Sequence, residues 1–267
     1  MRSRPGSTSR PRPPPARRRP ARTRRSVRVH EATPRTRVGL VFRGFLPQSF
    51  SDYRGRIAAV VFTGGCNFRC RFCYNRDLVL RPETQPPLGA GEVLERLAPR
   101  EGFLDAVVVS GGEPTLEPGL LPFLAELKSL GFLVGLDTNG SRPDVVRAVI
   151  ERRLADRLAM DYKAPLDRYE SVTGAAGMEK RVAESLGLVA HAGMDYEIRL
   201  TPHPALHTHE DIAVMAAELA DCGVRSVALQ TFKPWNVLDP RLTEVPAYGA
   251  AELRAFAALF PGSVAVR

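Results

Sequence analysis

From Val38 onward, short apolar segments with strand character alternate with longer segments of helical character, and this alternation limits the folds open to the chain. The predicted strands are Val38–Phe45, Ile57–Phe62, Asp105–Ser110, Leu133–Asp137, Arg157–Tyr162, Tyr196–Leu200 and Ser226–Gln230. The predicted helices are Ala90–Ala98, Leu120–Leu130, Pro143–Arg152, Met178–Ala192, Thr208–Asp221 and Ala247–Leu259, followed by a short tail at Ser263–Val266. Repeating β-α units predict an α/β domain with a parallel sheet covered by helices. Six such units favour a partial (β/α)6 barrel over a complete eight-stranded one.

The positive charge of the chain is concentrated in its first residues. The formal net charge is +9, but residues 1–37 hold thirteen Arg and one acidic residue, Glu31. The remaining residues therefore carry 25 basic and 28 acidic side chains, a net charge of −3. Residues 1–36, rich in Arg, Pro and Ser, are expected to be a disordered tail, and residues 37–267 to form a single folded domain. The tail is either an arm for nucleic acid or an acidic partner, or a segment without function; for the folded part, nucleic-acid binding is not expected.

The sequence does not predict a membrane protein or a disulfide-rich one. It holds no apolar stretch long enough to span a bilayer, and its first residues lack the apolar region of a signal peptide. Three of the four cysteines lie in one short segment, which does not suggest a disulfide framework. We therefore expect a reducing, cytoplasmic location.

Cys66, Cys70 and Cys73 directly follow the predicted strand Ile57–Phe62 and its glycine turn. This spacing lets one loop place three thiolates around a single inorganic cluster. A [4Fe–4S] cluster normally takes four thiolates, so three would leave one iron free to bind a substrate. The alternative is a structural zinc site completed by Cys222 or a histidine, although no second cysteine pair at zinc-ribbon spacing exists. Cys222 is otherwise expected to be a buried thiol.

Polar residues and glycines follow the ends of the later strands. They are Gly111-Gly112-Glu113-Pro114, Asp137-Thr138-Asn139-Gly140, Asp161-Tyr162-Lys163, Arg199 with Thr201, and Gln230. Because the carboxyl ends of parallel strands meet at one edge, where such folds build their sites, these residues are expected to share a site with the cysteines.

Each of these features also has a structural interpretation. Gly-Gly-Glu-Pro is a common turn, Asp137–Gly140 could cap a helix, and Lys163 could be a solvated charge. The histidines at 203, 207 and 209 fit a surface loop as well as a catalytic site. Trp235 is expected to serve packing.

The stretch Thr63-Gly-Gly-Cys-Asn-Phe-Arg-Cys-Arg-Phe-Cys-Tyr-Asn75, with aromatic Phe72 between the last two cysteines, resembles the signature loop of radical S-adenosylmethionine (SAM) enzymes. Within that superfamily it is similar to the glycyl-radical-activating branch, and most similar to activating proteins of anaerobic ribonucleoside-triphosphate reductase. The resemblance runs from about Val38 to about Trp235. It includes Leu136-Asp-Thr-Asn-Gly140 and Met160-Asp-Tyr-Lys-Ala-Pro165.

This resemblance implies an oxidoreductase with a [4Fe–4S] cluster on Cys66, Cys70 and Cys73, whose fourth iron chelates SAM. Reductive cleavage of SAM would give a 5′-deoxyadenosyl radical, which would take a hydrogen from a glycine of a partner glycyl-radical enzyme. The implied partner is anaerobic ribonucleotide reductase, and the implied electron donor is flavodoxin or ferredoxin. Two alternatives remain open: a radical SAM enzyme acting on a small molecule or a peptide, and a non-catalytic iron–sulfur protein.

The resemblance also implies which residues hold SAM. The glycine pair would let the backbone approach the methionine moiety, and Glu113 would accept a hydrogen bond from its ammonium group. The adenine would lie beside Phe72 and Tyr74. The remaining implied residues, near the SAM carboxylate and the substrate entrance, are Asp137, Thr138, Asp161, Lys163 and Arg199. Lys163 is in addition a candidate catalytic group, and aspartates at such positions can help to hold a monovalent cation.

Overall fold

The computed structural model describes residues 39–267, so the predicted disordered tail lies outside the described residues. The strands in this range are β1 (Val41–Ser49), β2 (Ala58–Thr63), β3 (Leu88–Gly89), β4 (Ala106–Gly111), β5 (Leu133–Thr138), β6 (Arg157–Asp161), β7 (Asp195–Leu200), β8 (Ser226–Leu229) and β9 (Ser263–Val266). The helices are α1 (Arg76–Leu80), α2 (Ala90–Leu97), α3 (Leu120–Ser129), α4 (Pro143–Glu151), α5 (Tyr169–Thr173), α6 (Glu179–Ala190), α7 (His209–Asp221) and α8 (Ala250–Ala257). The six long predicted helices all form, each within about three residues of its predicted bounds.

The strands form one sheet in the order β3-β1-β2-β4-β5-β6-β7-β8-β9. Strands β2 and β4 to β9 run parallel to one another, which confirms the predicted α/β domain with a parallel sheet and a partial barrel. The order is open, since β3 and β9 lie at opposite edges. The carboxyl ends of the parallel strands therefore meet along one edge of the domain.

Two parts of the sheet differ from the sequence-based expectation. The first strand runs over Val41–Ser49 rather than Val38–Phe45, and it pairs antiparallel with both β2 and β3. The link from β1 to β2 is too short for the crossover that a parallel connection needs, so antiparallel pairing follows. The predicted tail Ser263–Val266 is the parallel edge strand β9, paired with β8 over all four residues.

Alternate residues of the strands serve two separate apolar cores. On β2, Ala59 and Val61 belong to the main core, which includes the buried faces of the helices. Ala58 and Val60 belong to a smaller cluster with Tyr53 on the opposite face of the sheet. This division follows from the two-residue period of a strand. None of the helices in residues 39–267 is long and apolar enough to cross a membrane.

Candidate functional site

A cavity of about 320 Å³ lies at the carboxyl edge of the parallel strands. Every site residue predicted from the sequence lines it: Cys66, Cys70, Phe72, Cys73, Tyr74, Gly111, Gly112, Glu113, Asp137, Thr138, Asp161, Lys163 and Arg199. Thr201 and Gln230, also predicted from their positions at strand ends, line the same cavity. The strand ends and the cysteine loop thus share one site.

The cysteine loop, residues 64–75, is held by backbone hydrogen bonds on two sides. On one side, the amide of Arg69 donates to the carbonyl of Thr173 at the end of α5, over 2.7 Å. On the other side, Asp239 donates its amide to the carbonyl of Arg71 over 2.9 Å, and Leu238 donates to Cys73 over 3.1 Å. The Asp239 carboxylate also pairs with the Arg71 side chain at 2.8 Å. Because these partners lie far apart in the sequence, tertiary packing fixes the shape of the loop.

The glycine pair after β4 brings that strand end against the cysteine loop. A Cβ atom on Gly112 would lie 1.7 Å from the carbonyl oxygen of Gly65, and one on Gly111 would lie 2.3 Å from the backbone nitrogen of Thr63. Gly111 also has φ of +124°, which residues with a side chain rarely adopt. The two glycines are therefore required by contact with the protein's own backbone, a reason that the sequence does not reveal. Their predicted approach to the methionine moiety of SAM stays a prediction.

Glu113 is fully buried and connects the loops that follow β4 and β5. Its Oε1 accepts hydrogen bonds from both the backbone nitrogen (3.1 Å) and the hydroxyl of Thr115, and from the hydroxyl of Thr138 at 2.7 Å. Its Oε2 accepts one hydrogen bond, from the backbone nitrogen of Asn139 at 2.6 Å. Burial raises the pKa of Glu113, and these hydrogen bonds oppose that increase. A carboxylate oxygen has two lone pairs, and Oε2 accepts a single hydrogen bond, so a second acceptor position remains at Oε2.

Four charged side chains form a chain of ion pairs at the strand ends. Arg199 bridges two carboxylates, through Nη1 to Oδ1 of Asp137 at 3.2 Å and through Nε to Oδ1 of Asp161 at 2.7 Å. Lys163 Nζ pairs with the other oxygen of Asp161 at 3.3 Å. Burial alone would raise the pKa of Asp161, but Arg199 and Lys163 hold that pKa below its ordinary value. Burial raises the pKa of Asp137, and Arg199 offsets that increase only in part.

The three cysteine thiols are suited to a metal cluster and poorly suited to be free thiolates. Burial raises the pKa of Cys66 to about 11 and that of Cys70 to about 12, and it also raises the pKa of Cys73. Cysteine binds metal as the thiolate, so metal must displace these protons. Thiolates around a [4Fe–4S] cluster bind separate irons and need not meet at one point. The donor set therefore fits the cluster that the spacing predicts.

The zinc alternative finds no support in residues 39–267. Within that range, no group of three or more His, Cys, Asp or Glu side chains is arranged to hold a metal ion. Cys222 is half-buried at the end of α7 and does not line the cavity.

Two aromatic side chains beside the cysteines line the cavity. The ring of Phe72 lies below Lys163, with Nζ 5.5 Å from the ring centroid. The hydroxyl of Tyr74 accepts a hydrogen bond from the backbone of Lys233 at 2.9 Å, and its ring centroid lies 6.1 Å from that of Phe232. Both rings thus have fixed positions at the wall where the adenine is predicted.

Several structural interpretations made from the sequence are wrong. Lys163 is not a solvated charge, since its side chain is 11% exposed and ion-paired. His203 and His207 are buried rather than in a surface loop, and His207 contacts the Lys163 carbonyl through Nε2 at 2.8 Å. Trp235 is 64% exposed and does not pack in the core; the Nζ atom of Lys233 lies 5.8 Å from its ring centroid. The N-cap position of helix α4 is Arg142, which makes no side-chain cap hydrogen bond, so the Asp137–Gly140 turn lies outside the N-cap.

Sequence reasoning assigned no role to two asparagines of the cavity wall. Asn75 donates a hydrogen bond through Nδ2 to the carbonyl oxygen of Gly111 at 2.8 Å. Asn139 donates through Nδ2 to the sulfur of Cys66 at 3.7 Å. The position of Asn139 in the polar segment after β5 could have indicated a site residue. Its contact with Cys66 could not be predicted, because the two residues lie 73 positions apart.

Comparison with known proteins identifies related sequences. A family profile of the radical SAM superfamily matches residues 60–219. A protein of Methanocaldococcus jannaschii, provisionally named a glycyl-radical enzyme activating enzyme, is 31% identical over 79% of this chain and 88% of its own length. The 7-carboxy-7-deazaguanine synthase of Methanopyrus kandleri is 36% identical over 47% of this chain and 57% of its own length. The pyruvate formate-lyase-activating enzyme of Staphylococcus aureus is 31% identical over 55% of this chain and 52% of its own length.

Among solved structures, Streptococcus suis SuiB bound to the precursor peptide SuiA has a TM-score of 0.61 with 14% sequence identity. The match covers 78% of this chain and 48% of SuiB. At this level of identity the likeness concerns the fold alone.

Proposed function

The chain belongs to the radical SAM superfamily, and we propose that it activates a glycyl-radical enzyme by forming a glycyl radical on it. The observation that supports radical chemistry is the convergence of three cysteines and the polar strand ends on one cavity. The activating type is supported by the M. jannaschii relative, which matches over most of both chains. Membership of the superfamily implies a [4Fe–4S] cluster and SAM.

In this proposal, Cys66, Cys70 and Cys73 hold the cluster as thiolates. When bound and reduced, the cluster and SAM supply a 5′-deoxyadenosyl radical. The protein positions both groups at the edge of the sheet and keeps water from the reaction. The depth of Cys70, which is 5% exposed, supports this protective role.

We assign the SAM contacts by charge and hydrogen-bonding capacity. The free acceptor position at Oε2 of Glu113 suits the ammonium group, and the guanidinium of Arg199 suits the carboxylate. Phe72 and Tyr74 offer faces to the adenine. Asp137 and Thr138 complete the wall between these groups.

Lys163 and Asp161 face the same cavity, and we propose that they line the entrance for the substrate. Burial disfavours the ammonium form, but Asp161 more than compensates and raises the pKa of Lys163. Lys163 is thus a fixed cation rather than a base at neutral pH. A monovalent cation at Asp137 and Asp161 has weaker support, because Arg199 pairs with both carboxylates and Lys163, paired with Asp161, supplies the second positive charge.

The proposed protein substrate is anaerobic ribonucleotide reductase, on the strength of the sequence resemblance in the cysteine loop and the two strand-end motifs. Flavodoxin or ferredoxin is the proposed electron donor on the same basis. A cytoplasmic location would supply the reducing conditions that the cluster needs. We also propose that residues 37–267 form a single radical SAM catalytic domain.

A small molecule or a peptide is the alternative substrate. The relative named 7-carboxy-7-deazaguanine synthase supports the alternative, although it matches only 47% of this chain. Loss of catalysis with retention of the cluster is the third candidate. The intact set of Glu113, Asp137 and Asp161 in one cavity argues against it.

The test is anaerobic reconstitution with iron and sulfide, reduction with dithionite, and measurement of 5′-deoxyadenosine formed from SAM. Activity should disappear in Cys70→Ala and persist in Cys222→Ala, since Cys222 lies outside the cavity. The reductase is then added, and electron paramagnetic resonance should detect a glycyl radical on it. Deoxyadenosine without a glycyl radical would favour the alternative substrates. A four-iron cluster that yields no deoxyadenosine, with or without the reductase, would contradict the proposal.

A further inference from the structure

One cysteine of the cluster loop receives a hydrogen bond from a side chain. The Nδ2 atom of Asn139 lies 3.7 Å from the sulfur of Cys66 and 3.0 Å from Oδ1 of Asn67. The backbone nitrogen of Phe68 lies 3.3 Å from the same sulfur. Within residues 39–267, Cys70 and Cys73 receive no side-chain hydrogen bond at sulfur. The surroundings of the three sulfurs are therefore unequal.

The orientation of the Asn139 amide is determined by its partners. Its Oδ1 accepts a hydrogen bond from the backbone nitrogen of Ser141 at 2.9 Å, and a backbone N–H can only donate. The amide nitrogen must therefore point the other way, toward Cys66 and Asn67. Its two hydrogens match these two acceptors, so the opposite amide orientation would lose all three contacts.

Burial and the neighbouring loops fix this arrangement. Asn139 is 4% exposed, so water does not compete for its hydrogens. Its backbone nitrogen donates to Oε2 of Glu113 at 2.6 Å, which ties the turn after β5 to the turn after β4. The donor is thus held in place before any cluster is bound.

We propose that Asn139 is a positioning residue that tunes the cluster electronically, by donating an N–H···S hydrogen bond to the Cys66 thiolate. This inference rests on the proposed function, because it assumes that Cys66 is a ligand. Hydrogen bonds to cluster sulfurs stabilise the reduced, more negative state and raise the reduction potential. Asn139 therefore makes the cluster easier to reduce by a weak physiological donor.

The test measures the reduction potential of the reconstituted cluster without SAM, by redox titration followed with electron paramagnetic resonance. Asn139→Leu removes the donor and should change the one-electron equilibrium about tenfold, which lowers the potential by about 59 mV. Asn139→Asp keeps an acceptor for Ser141 but replaces the donor by a negative charge, so its potential should fall further. Ser141→Ala is the matched control, because its buried hydroxyl has no hydrogen-bond partner and its backbone donor is retained.

The outcomes separate this inference from the proposed function. A wild-type protein without a redox-active four-iron cluster would overturn the proposed function. A wild-type cluster whose potential is unchanged in both Asn139 variants would overturn only the hydrogen-bond inference. If both variants keep the wild-type melting temperature but bind no cluster, Asn139 serves assembly, and the tuning role is wrong.

Discussion

Gly112 shows how a single missing side chain shapes the site. Its Cβ position lies 1.7 Å from the Gly65 carbonyl, which accepts the neighbouring amide of Glu113 at 2.9 Å. In Gly112→Ala the turn must move away from the cysteine loop. We expect the free energy of unfolding to fall by about 1–3 kcal/mol, as for other overpacked sites. The amounts of iron and sulfide bound per protein after reconstitution, measured by chemical analysis, should fall as well.

Gly91 provides the matched control for that substitution. It lies in α2, and a Cβ atom there would have no neighbour within 4 Å. Gly91→Ala should stabilise the protein by about 0.5–1 kcal/mol, because alanine favours the helix, and it should leave iron binding unchanged. Equal iron binding in both variants would show that the close contact at Gly112 does not shape the cluster site.

At the scale of elements, the segment after β8 fastens the cysteine loop through Asp239. The carboxylate pairs with Arg241 at 2.9 Å and with Arg71 at 2.8 Å. These hydrogen bonds hold the pKa of Asp239 below its ordinary value, and the bond from Arg241 has the largest effect. A carboxyl group whose pKa is lower in the folded state stabilises the protein at pH values above its unfolded-state pKa of about 3.9. That stabilisation is lost as the pH falls from there through the folded-state pKa.

Asp239→Asn tests this fastening by its pH dependence. The variant should be less stable than the wild type at pH 7, and the difference should shrink as the pH falls below about 4. Chemical denaturation at a series of pH values measures the difference in the free energy of unfolding between the variant and the wild type. A difference that stays constant down to pH 2 would mean that the side chain acts by shape rather than charge.

At the scale of the whole molecule, charge is divided between the first residues and the rest. Residues 1–37 contain thirteen Arg, whereas residues 38–267 have a net charge of −3. Deletion of residues 1–36 should therefore abolish retention on a polyanionic column such as heparin. It should leave the melting temperature and the deoxyadenosine yield unchanged, since the site residues all lie in the described part. Lower activity of the shortened protein on a purified protein substrate would instead assign the tail to partner binding.

The sequence alone determined the fold class and most of the polar residues that line the cavity. Strands and helices follow from local apolar periods, and a parallel sheet must gather its strand ends at one edge. The cysteine spacing lies within eight residues, so it too can be read directly. These predictions held because each depends on neighbours along the chain or on a general property of parallel sheets.

Tertiary structure alone decided how the gathered residues pair. Arg199 reaches Asp137 across 62 residues, Asp239 reaches Arg71 across 168, and Asn139 reaches Cys66 across 73. No local pattern encodes such contacts, because they depend on which loops come into contact after the sheet has formed. The same reason explains why sequence analysis predicted neither the close backbone contacts of the glycine pair nor the exposure of Trp235. Local sequence patterns specify the elements, whereas hydrogen bonds and close contacts between loops specify the chemistry of the site.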